Sequence, residues 1–256
     1  MRTAVVVMSK VPQPGFTKTR LNSVLTGQES ADFHQACLED ICGAIRRSSL
    51  PGYIYYARPD EAAPDGAVLN QTAAPESASL IGADRWGLSA GNRAYFKKRP
   101  QRGMDLGERL YHAAQEILTA YEAVLLLGSD LPVITPELIW EARANLLHSE
   151  ATIGPARDGG YYLLGIRQAS PYMFQNIPWG TAQVFDITLQ RIRTHQTRYS
   201  LLPPQTDIDT WADLISFYNS GQADDNSFIR HLTSYEMAAA LVAKYGSIQE
   251  RSRKSG

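Results

Sequence analysis

The sequence predicts an α/β fold in which a mostly parallel sheet lies between two layers of helices. Residues 3–8 (TAVVVM) form a continuous apolar run, which is typical of a strand covered on both faces. Stretches with strand character alternate with stretches of helical periodicity along most of the chain, as in consecutive βαβ units. Apolar residues make up 44% of the 256 residues, enough to fill a core. Together these features predict a Rossmann-like, three-layer α/β/α arrangement.

The apolar periodicity places the individual elements. Phe33, Cys37 and Ile41 recur at helical spacing within a predicted helix over 28–49. Thr135 and Pro136 are residue types preferred at a helix N-cap and first turn, so another helix is expected over 136–148. Further strands are predicted at 53–57, 122–130, 151–156, 161–166 and 199–204, and further helices at 106–121, at 182–196 and from Thr210. The short RDGG turn between 151–156 and 161–166 implies one antiparallel insertion.

Three segments fall outside this pattern. Residues 58–79 are rich in Ala, Pro and Asp and are predicted as a loop, and residues 80–104 are polar and basic with no assigned element. The C-terminal segment 219–256 is predicted to form accessory helices beyond a main domain over 1–218. Its last residues, 249–256 (QERSRKSG), are predicted to be disordered.

Composition excludes several functional classes. The chain has 25 basic and 26 acidic residues, which argues against nonspecific nucleic-acid binding because that requires a basic surface. Cys37 and Cys42 lack the spacing of a zinc or redox pair and are predicted as small core residues. No apolar run is long enough to cross a bilayer, and the N-terminus lacks signal-peptide features, so we expect a cytoplasmic protein without a membrane partner.

The loop after the first strand, residues 9–21 (SKVPQPGFTKTRL), is a candidate phosphate site. Lys10, Lys18 and Arg20 surround a turn at Gly15. Cationic side chains and backbone N–H groups in such a loop can surround a di- or triphosphate. The loop has neither the P-loop spacing nor the GxGxxG fingerprint. An ordinary surface loop with three solvated cations is the alternative.

Asp130 is a candidate metal ligand. It follows the buried strand predicted at 122–130, and a carboxylate at such a strand end is costly unless it has a partner. Mg²⁺ or Mn²⁺ bridging this carboxylate to a diphosphate would provide one. The alternative is a loop carboxylate that accepts hydrogen bonds from nearby amides.

Two further acidic loops are expected at the same edge of the sheet. Asp158 precedes Gly159 and Gly160, a pair that permits either close approach of a ligand or an ordinary hairpin turn. Asp207 and Asp209 precede the last predicted helix. Either Asp209 or Thr210 is expected to cap that helix, and the two carboxylates could equally reach a metal ion.

Two loops complete the set of candidates. Asp105 and Gly107 precede or open a helix, where Glu108 and Arg109 are expected to form a solvated face. Trp179 follows a proline and precedes a glycine in a predicted loop, where an exposed indole can stack on a sugar or a base. Burial in the core is the alternative for this tryptophan.

The ordered set of motifs resembles a known family. The segments KVPQPGFTKTRL, MDLGERL, GSDLPVITPE, GPARDGGYYLLG, IPWGT and DIDTWADL occur in this order between residues 3 and 218. The chain thereby resembles bacterial GT-A-fold proteins known as arsenosugar-biosynthesis glycosyltransferases. It is more distantly similar to 2-phospholactate and molybdenum-cofactor guanylyltransferases. The segment 82–100 is longer and more basic than the resemblance leads us to expect, and residues 219–256 lie outside it.

The resemblance implies a nucleoside-diphosphate-sugar donor, a small-molecule acceptor and Mg²⁺ or Mn²⁺. The implied nucleotide-binding residues are Lys10, Gly15, Lys18, Arg20, Asp105 and Gly107. The implied metal ligands are Asp130 and Asp209, with Asp158 as the catalytic base. Gly159, Gly160 and Trp179 are expected beside the acceptor or the sugar. Nucleotidyl transfer from a nucleoside triphosphate, with release of pyrophosphate, is the alternative reaction, and nucleotide binding without turnover is a third.

Overall fold

The computed structural model describes residues 1–59, 86–223 and 228–254, with side chains as far as residue 246. Seven strands form one sheet. They are β1 (Thr3–Lys10), β2 (Gly52–Ala57), β3 (Phe96–Pro100), β4 (Ala123–Leu127), β5 (Ala151–Pro155), β6 (Tyr161–Ile166) and β7 (Tyr199–Leu201). The helices of these ranges are α1 (Gly27–Ser48), α2 (Ala90–Tyr95), α3 (Leu106–Leu118), α4 (Pro136–Asn145), α5 (Val184–Thr194), α6 (Trp211–Ala223) and α7 (Thr233–Lys254).

The sheet is mostly parallel, as predicted. Its strand order is β3-β2-β1-β4-β6-β5-β7. Strands β1, β2, β3 and β4 pair in parallel, as do β5 and β7. Strand β6 is antiparallel to both of its neighbours, β4 and β5. The antiparallel insertion expected from the RDGG turn is therefore confirmed.

Helices cover both faces of the sheet and produce the predicted three layers. Alternate residues of a strand point to opposite faces, so Val5 and Val7 of β1 pack with α1 and α4 while Val6 packs with α3 and α5. The central strands carry apolar residues at nearly every position because both of their faces are buried. Thr135 caps α4 as predicted, since its side chain accepts a hydrogen bond from the Leu138 N–H.

The C-terminal helices pack against the outer side of α1. Phe33 and Cys37 of α1 share an apolar cluster with Trp211 and Leu214 of α6 and with Ala238 of α7. Helix α1 is therefore buried on two opposite sides, which explains its apolar residues outside a single stripe.

The C-terminal boundaries differ from those expected. The division expected at residue 218 falls inside α6. Helix α7 continues to Lys254 and so includes residues 249–254 of the segment that was predicted to be disordered. Gln, Glu, Arg and Lys in this stretch are strong helix formers, so they extend a helix that has already begun.

The basic segment before α3 contributes a strand that the sequence pattern did not reveal. Residues 96–100 (FKKRP) form β3 at one edge of the sheet, and α2 precedes them. Charged residues are common on edge strands and obscure the apolar pattern. The loop predicted at 58–79 lies outside the described residues except for 58 and 59, as do residues 82–85 of the basic segment.

Cys37 and Cys42 are free and buried, as the prediction of small core residues requires. In the described ranges, no helix has both the length and the apolar character needed to span a membrane.

Asp40 of α1 should contribute strongly to the docking of α7. Its buried carboxylate accepts hydrogen bonds from the N–H groups of Thr233 (2.9 Å) and Ser234 (2.8 Å) at the start of α7. We expect Asp40→Ala to lower the free energy of unfolding in urea by about 1–3 kcal/mol, because buried donors lose their acceptor. Asp32→Ala is the matched control, since Asp32 bonds to Gln28 within α1. Equal losses in the two variants would contradict this account.

Candidate functional site

A cleft of about 710 Å³ opens at the carboxyl ends of β1 and β4. In parallel α/β sheets, ligands bind at this edge. Because β6 is antiparallel, its first residue, Tyr161, lies at the same edge, and the turn from β5 to β6 borders the cleft. The topology therefore brings three distant segments to one place: the loop after β1, the end of β4 and the β5–β6 turn.

The loop after β1 presents two of its cations to solvent and one to the protein interior. Gly15 adopts a positive φ of 74°, which favours glycine in this turn. Lys10 is exposed and donates a hydrogen bond to the Phe16 carbonyl (3.2 Å). The side chain of Arg20 is 68% exposed at the rim of the cleft. The Lys18 side chain, by contrast, is only 1% exposed.

Lys18 forms an ion pair with Asp130. Its Nζ donates to Asp130 Oδ1 and to the carbonyl of Ile208, each at 2.5 Å. The Asp130 side chain remains 40% exposed, on the cleft side. Burial alone would lower the pKa of Lys18, but the Asp130 carboxylate raises that pKa above its usual value. Burial raises the pKa of Asp130, yet Lys18 holds it below its usual value, so both groups stay charged.

The segment after β7 carries two more carboxylates to this ion pair. Gln205 N–H donates to the Pro155 carbonyl (3.0 Å), and Ile208 N–H donates to the Asp130 carbonyl (3.0 Å). Ile208 is thus held at its N–H by Asp130 and at its carbonyl by Lys18. Asp207 and Asp209 flank Ile208 in the chain, and both line the cleft.

Thr210, rather than Asp209, caps α6. Its Oγ1 accepts a hydrogen bond from the Asp213 N–H (3.3 Å), while Asp213 Oδ2 accepts one from the Thr210 N–H (2.7 Å). The carboxylate of Asp209 is left to face Lys18, at 3.9 Å, and Arg20, at 3.4 Å. The structure therefore decides between the two caps that the sequence left open.

The carboxylates in the cleft raise one another's pKa values. Burial raises the pKa of Asp207 to about 7, and the nearby Asp130, Asp158 and Asp209 add to the shift. Burial also raises the pKa of Asp209, with Asp130 as the next contributor. Asp207 Oδ1 is buried without a hydrogen-bond partner. An unpartnered carboxylate oxygen among other carboxylates is suited to a cation.

These residues fit a divalent cation that a ligand helps to hold. Within the described ranges, no set of three or more His, Cys, Asp or Glu side chains is arranged to hold a metal. Mg²⁺, however, is commonly held by one or two carboxylates together with water and substrate phosphates. Asp130, Asp207 and Asp209 meet that smaller requirement.

Asp158 occupies the tip of the β5–β6 turn and is exposed to the cleft. Its Oδ1 accepts a hydrogen bond from the Gly160 N–H (2.9 Å). Gly159 has φ 92°, and a Cβ there would lie 2.1 Å from the Ala182 carbonyl oxygen. Gly159 therefore lets the turn approach the residues just before α5, and the Gly160 N–H holds Asp158 in place. Gly160 lines the cleft, and Gly159 does not.

Trp179 forms part of the wall opposite the basic loop. Its indole N–H donates to the Phe174 carbonyl (3.3 Å), and its ring meets Tyr161 edge-on with centroids 6.1 Å apart. A Cβ at Gly107 would lie 2.4 Å from Trp179 Nε1, so this glycine permits α3 to approach the indole. Asp105 accepts a hydrogen bond from the Glu108 N–H (2.8 Å) as the N-cap of α3.

The structure brings most of the predicted residues together. The cleft is lined by Lys10, Lys18, Arg20, Asp130, Asp158, Gly160, Trp179 and Asp209. The other four predicted residues do not line it. Gly15 forms a turn, Asp105 caps α3, and Gly107 and Gly159 allow close packing of neighbouring segments.

Two polar residues that the sequence did not identify as site residues also line the cleft. His34 Nε2 lies 3.1 Å from Ser9 Oγ and 3.2 Å from the Lys10 carbonyl, where it supports the end of β1. Burial lowers the pKa of His34 to about 4, so the ring is neutral. A histidine on the buried side of α1, beside Phe33 and Cys37, was the signal available. Arg109, expected on a solvated face, also lines the cleft.

The raised pKa of Asp207 predicts a pH dependence of stability. Between its usual pKa, near 4, and about 7, the folded protein holds a proton that the unfolded chain releases, so this group destabilises the fold as pH rises through that window. Asp207→Asn stays neutral at every pH. In EDTA, we therefore expect the Tm of the wild type minus that of the variant to fall between pH 4 and pH 7. A constant difference would contradict the raised pKa.

Comparisons with known proteins agree with the fold. A bacterial family described as uncharacterized (DUF2064) matches residues 80–181. No curated protein matches the chain. The structure of 4-diphosphocytidyl-2C-methyl-D-erythritol synthase from Anaerococcus prevotii is 12% identical, with a TM-score of 0.50 over 88% of this chain and 100% of that chain. At this identity the likeness shows a shared fold alone. A manganese complex of Rv0371c from Mycobacterium tuberculosis H37Rv is 11% identical, with a TM-score of 0.45 over 84% of this chain and 97% of that chain.

One solved structure is more similar. It comes from Desulfovibrio desulfuricans G20 and is described as a putative nucleotide-diphospho-sugar transferase. It is 30% identical to this chain, with a TM-score of 0.78, and the match covers 95% of this chain and 98% of that chain. This chain therefore belongs to the same family as the Desulfovibrio desulfuricans protein.

Proposed function

We propose that the protein is a metal-dependent glycosyltransferase that moves a sugar from a nucleoside-diphosphate-sugar donor to a small acceptor. One observation carries the proposal: a single cleft combines exposed cations of one loop with carboxylates from three other segments. Transfer from such a donor requires both, because the donor is anionic and the acceptor must lose a proton. The description of the Desulfovibrio desulfuricans relative as a putative nucleotide-diphospho-sugar transferase supports this class of reaction.

Lys10 and Arg20 are the residues that we assign to the donor diphosphate. Lys10 is the last residue of β1 and Arg20 lies in the loop that follows, and both line the cleft and are exposed. Arg20 is held only loosely by Asp209, at 3.4 Å, so it can turn toward a phosphate. Guanidinium and ammonium groups at this position stabilise the negative charge of a departing nucleoside diphosphate.

Asp130, Asp207 and Asp209 are the residues that would hold Mg²⁺ or Mn²⁺. Asp130 and Asp209 are each partly open to the cleft, and Asp207 supplies the oxygen without a partner. When bound there, the cation would neutralise charge on the diphosphate.

Asp158 is the proposed catalytic base. Its Oδ1 accepts a hydrogen bond from the Gly160 N–H, which fixes the carboxylate, and Asp158 lines the cleft. A carboxylate in this position can accept the proton of an acceptor hydroxyl as it attacks the sugar. A single displacement of this kind inverts the anomeric centre. Trp179 and Tyr161 provide an aromatic wall for a sugar or acceptor.

Nucleotidyl transfer is the second candidate. A nucleoside triphosphate would meet the same cations and carboxylates in this cleft. The two reactions differ in their leaving group, which is a nucleoside diphosphate in sugar transfer and pyrophosphate in nucleotidyl transfer. The arsenosugar pathway implied by the resemblance makes an arsenosugar precursor one acceptor to test.

Donor binding should stabilise the protein only when a divalent cation is present. We expect one nucleoside-diphosphate-sugar, among a panel of nucleotides and nucleotide-sugars, to raise the Tm in Mg²⁺ or Mn²⁺ and to have little effect in EDTA. Thermal unfolding monitored by fluorescence measures this. A larger shift with a nucleoside triphosphate would favour nucleotidyl transfer, and no shift with any member would reject both.

Asp158→Asn is the matched control for that measurement. Asparagine retains an oxygen that can accept from Gly160, so the turn should persist. We expect the donor-induced shift to be kept in this variant, while turnover falls about 10²- to 10⁴-fold because the base is lost. Turnover equal to that of the wild type would remove Asp158 from the reaction.

A further inference from the structure

Lys18 differs from the other cations of its loop in where its charge lies. Its side chain is 1% exposed, whereas that of Arg20 is 68% exposed. Its ammonium donates two 2.5 Å hydrogen bonds, to Asp130 Oδ1 and to the Ile208 carbonyl. To bind a phosphate of the donor, the Lys18 ammonium would have to leave both of these acceptors and move into the cleft. The contacts of Lys18 are thus those of an internal counter-ion.

The ammonium lies next to the carboxylates that we assign to the metal. Its Nζ is 2.5 Å from Asp130 Oδ1 and 3.9 Å from Asp209 Oδ1. A divalent cation bound by the same two side chains would lie within a few ångströms of a positive charge. Like charges at such a separation repel strongly, even where water partly screens them.

The remaining carboxylate oxygens do not replace those that lie next to the Lys18 ammonium. Arg20 also forms an ion pair with Asp209, with its Nη1 3.4 Å from Asp209 Oδ2. Asp207 contributes one unpartnered oxygen. Consistent with that count, the described side chains include no set of three ready ligands. The protein alone therefore offers a divalent cation an incomplete and partly neutralised site.

We infer that Lys18 is a built-in cation that competes with the divalent metal for Asp130 and Asp209. The inference rests on the proposed function, since that proposal assigns these carboxylates to the metal. Its consequence is an order of binding. Without nucleotide the metal binds weakly, and the negative charge of the donor diphosphate offsets the ammonium, so metal and donor enter together. Lys18 acts through the carboxylates and is a positioning residue rather than a ligand of the donor.

The strained backbone of Lys18 agrees with a fixed role. Its φ of 46° lies in the left-handed region, which is unfavourable for a residue other than glycine. Such a conformation persists where the surrounding contacts determine it, and here the ion pair with Asp130 and the bond to Ile208 do so.

The test is Mn²⁺ binding to the nucleotide-free full chain, followed by electron paramagnetic resonance. Lys18→Met should bind Mn²⁺ at least about tenfold more tightly than the wild type, because a neighbouring positive charge is removed. Lys97→Met is the matched control and should leave the Mn²⁺ Kd unchanged, since Lys97 lies on β3 with its ammonium over the Tyr53 ring and does not line the cleft. A Kd for Lys18→Met equal to or weaker than that of the wild type would overturn the inference.

A second measurement on the wild type decides the matter if Lys18→Met fails to fold. Amine acylation followed by mass spectrometry reports whether each lysine is accessible. We expect Lys18 to be nearly unreactive without Mn²⁺ and to become several-fold more reactive in saturating Mn²⁺, while Lys97, outside the cleft, reacts equally in both. Unchanged labelling of Lys18 would overturn the inference. Neither measurement uses a donor, so a chain that shows the competition but binds no donor would reject the proposed function alone.

Discussion

The ion pair between the buried ammonium of Lys18 and the partly exposed carboxylate of Asp130 is the interaction on which the rest of the cleft depends. It joins the loop after β1 to the end of β4, and through the Ile208 carbonyl it also holds the segment after β7. A buried charge that loses its partner is strongly destabilising, so the three segments cannot separate without a large cost. The same pair sets the charge of the site, because it neutralises one carboxylate and leaves Asp207 and Asp209 beside it.

The sheet topology explains why carboxylates so distant in sequence meet. Strand β6 is antiparallel, so the turn before it faces the same edge as the ends of β1 and β4. Strand β7 pairs in parallel with β5, and the chain that follows continues beside the β5–β6 turn through the bonds of Gln205. Asp158 and Asp209 therefore line one cleft, although one belongs to the β5–β6 turn and the other to the segment after β7.

The fold was largely predictable because its central strands are buried on both faces. Residues 4–8 and 123–127 consist of apolar side chains whose only favourable position is between layers of helices. Strand β3 was not predictable in this way, because FKKRP lies at an edge where charges are tolerated. The continuation of α7 to Lys254 was also missed, since polar helix formers give no apolar stripe.

The candidate site was predictable in its membership but not in its contacts. A position at the end of a strand indicated Asp130, and the DGG turn indicated Asp158. Sequence could not show that Lys18, on the same loop as the exposed Arg20, points inward, because one backbone conformation at φ 46° decides this. Nor could it separate the cap at Thr210 from the free carboxylate of Asp209, which depends on a hydrogen bond to Asp213.

The identity of the leaving group tests the central claim most directly. Phosphorus-31 magnetic resonance can follow the protein with Mg²⁺, a nucleoside-diphosphate-sugar or a nucleoside triphosphate, and a panel of small acceptors. We predict that signals of a free nucleoside diphosphate grow as the sugar is transferred. Pyrophosphate released from a triphosphate would contradict sugar transfer and establish nucleotidyl transfer in the same cleft, and unchanged spectra with every pair would contradict catalysis altogether.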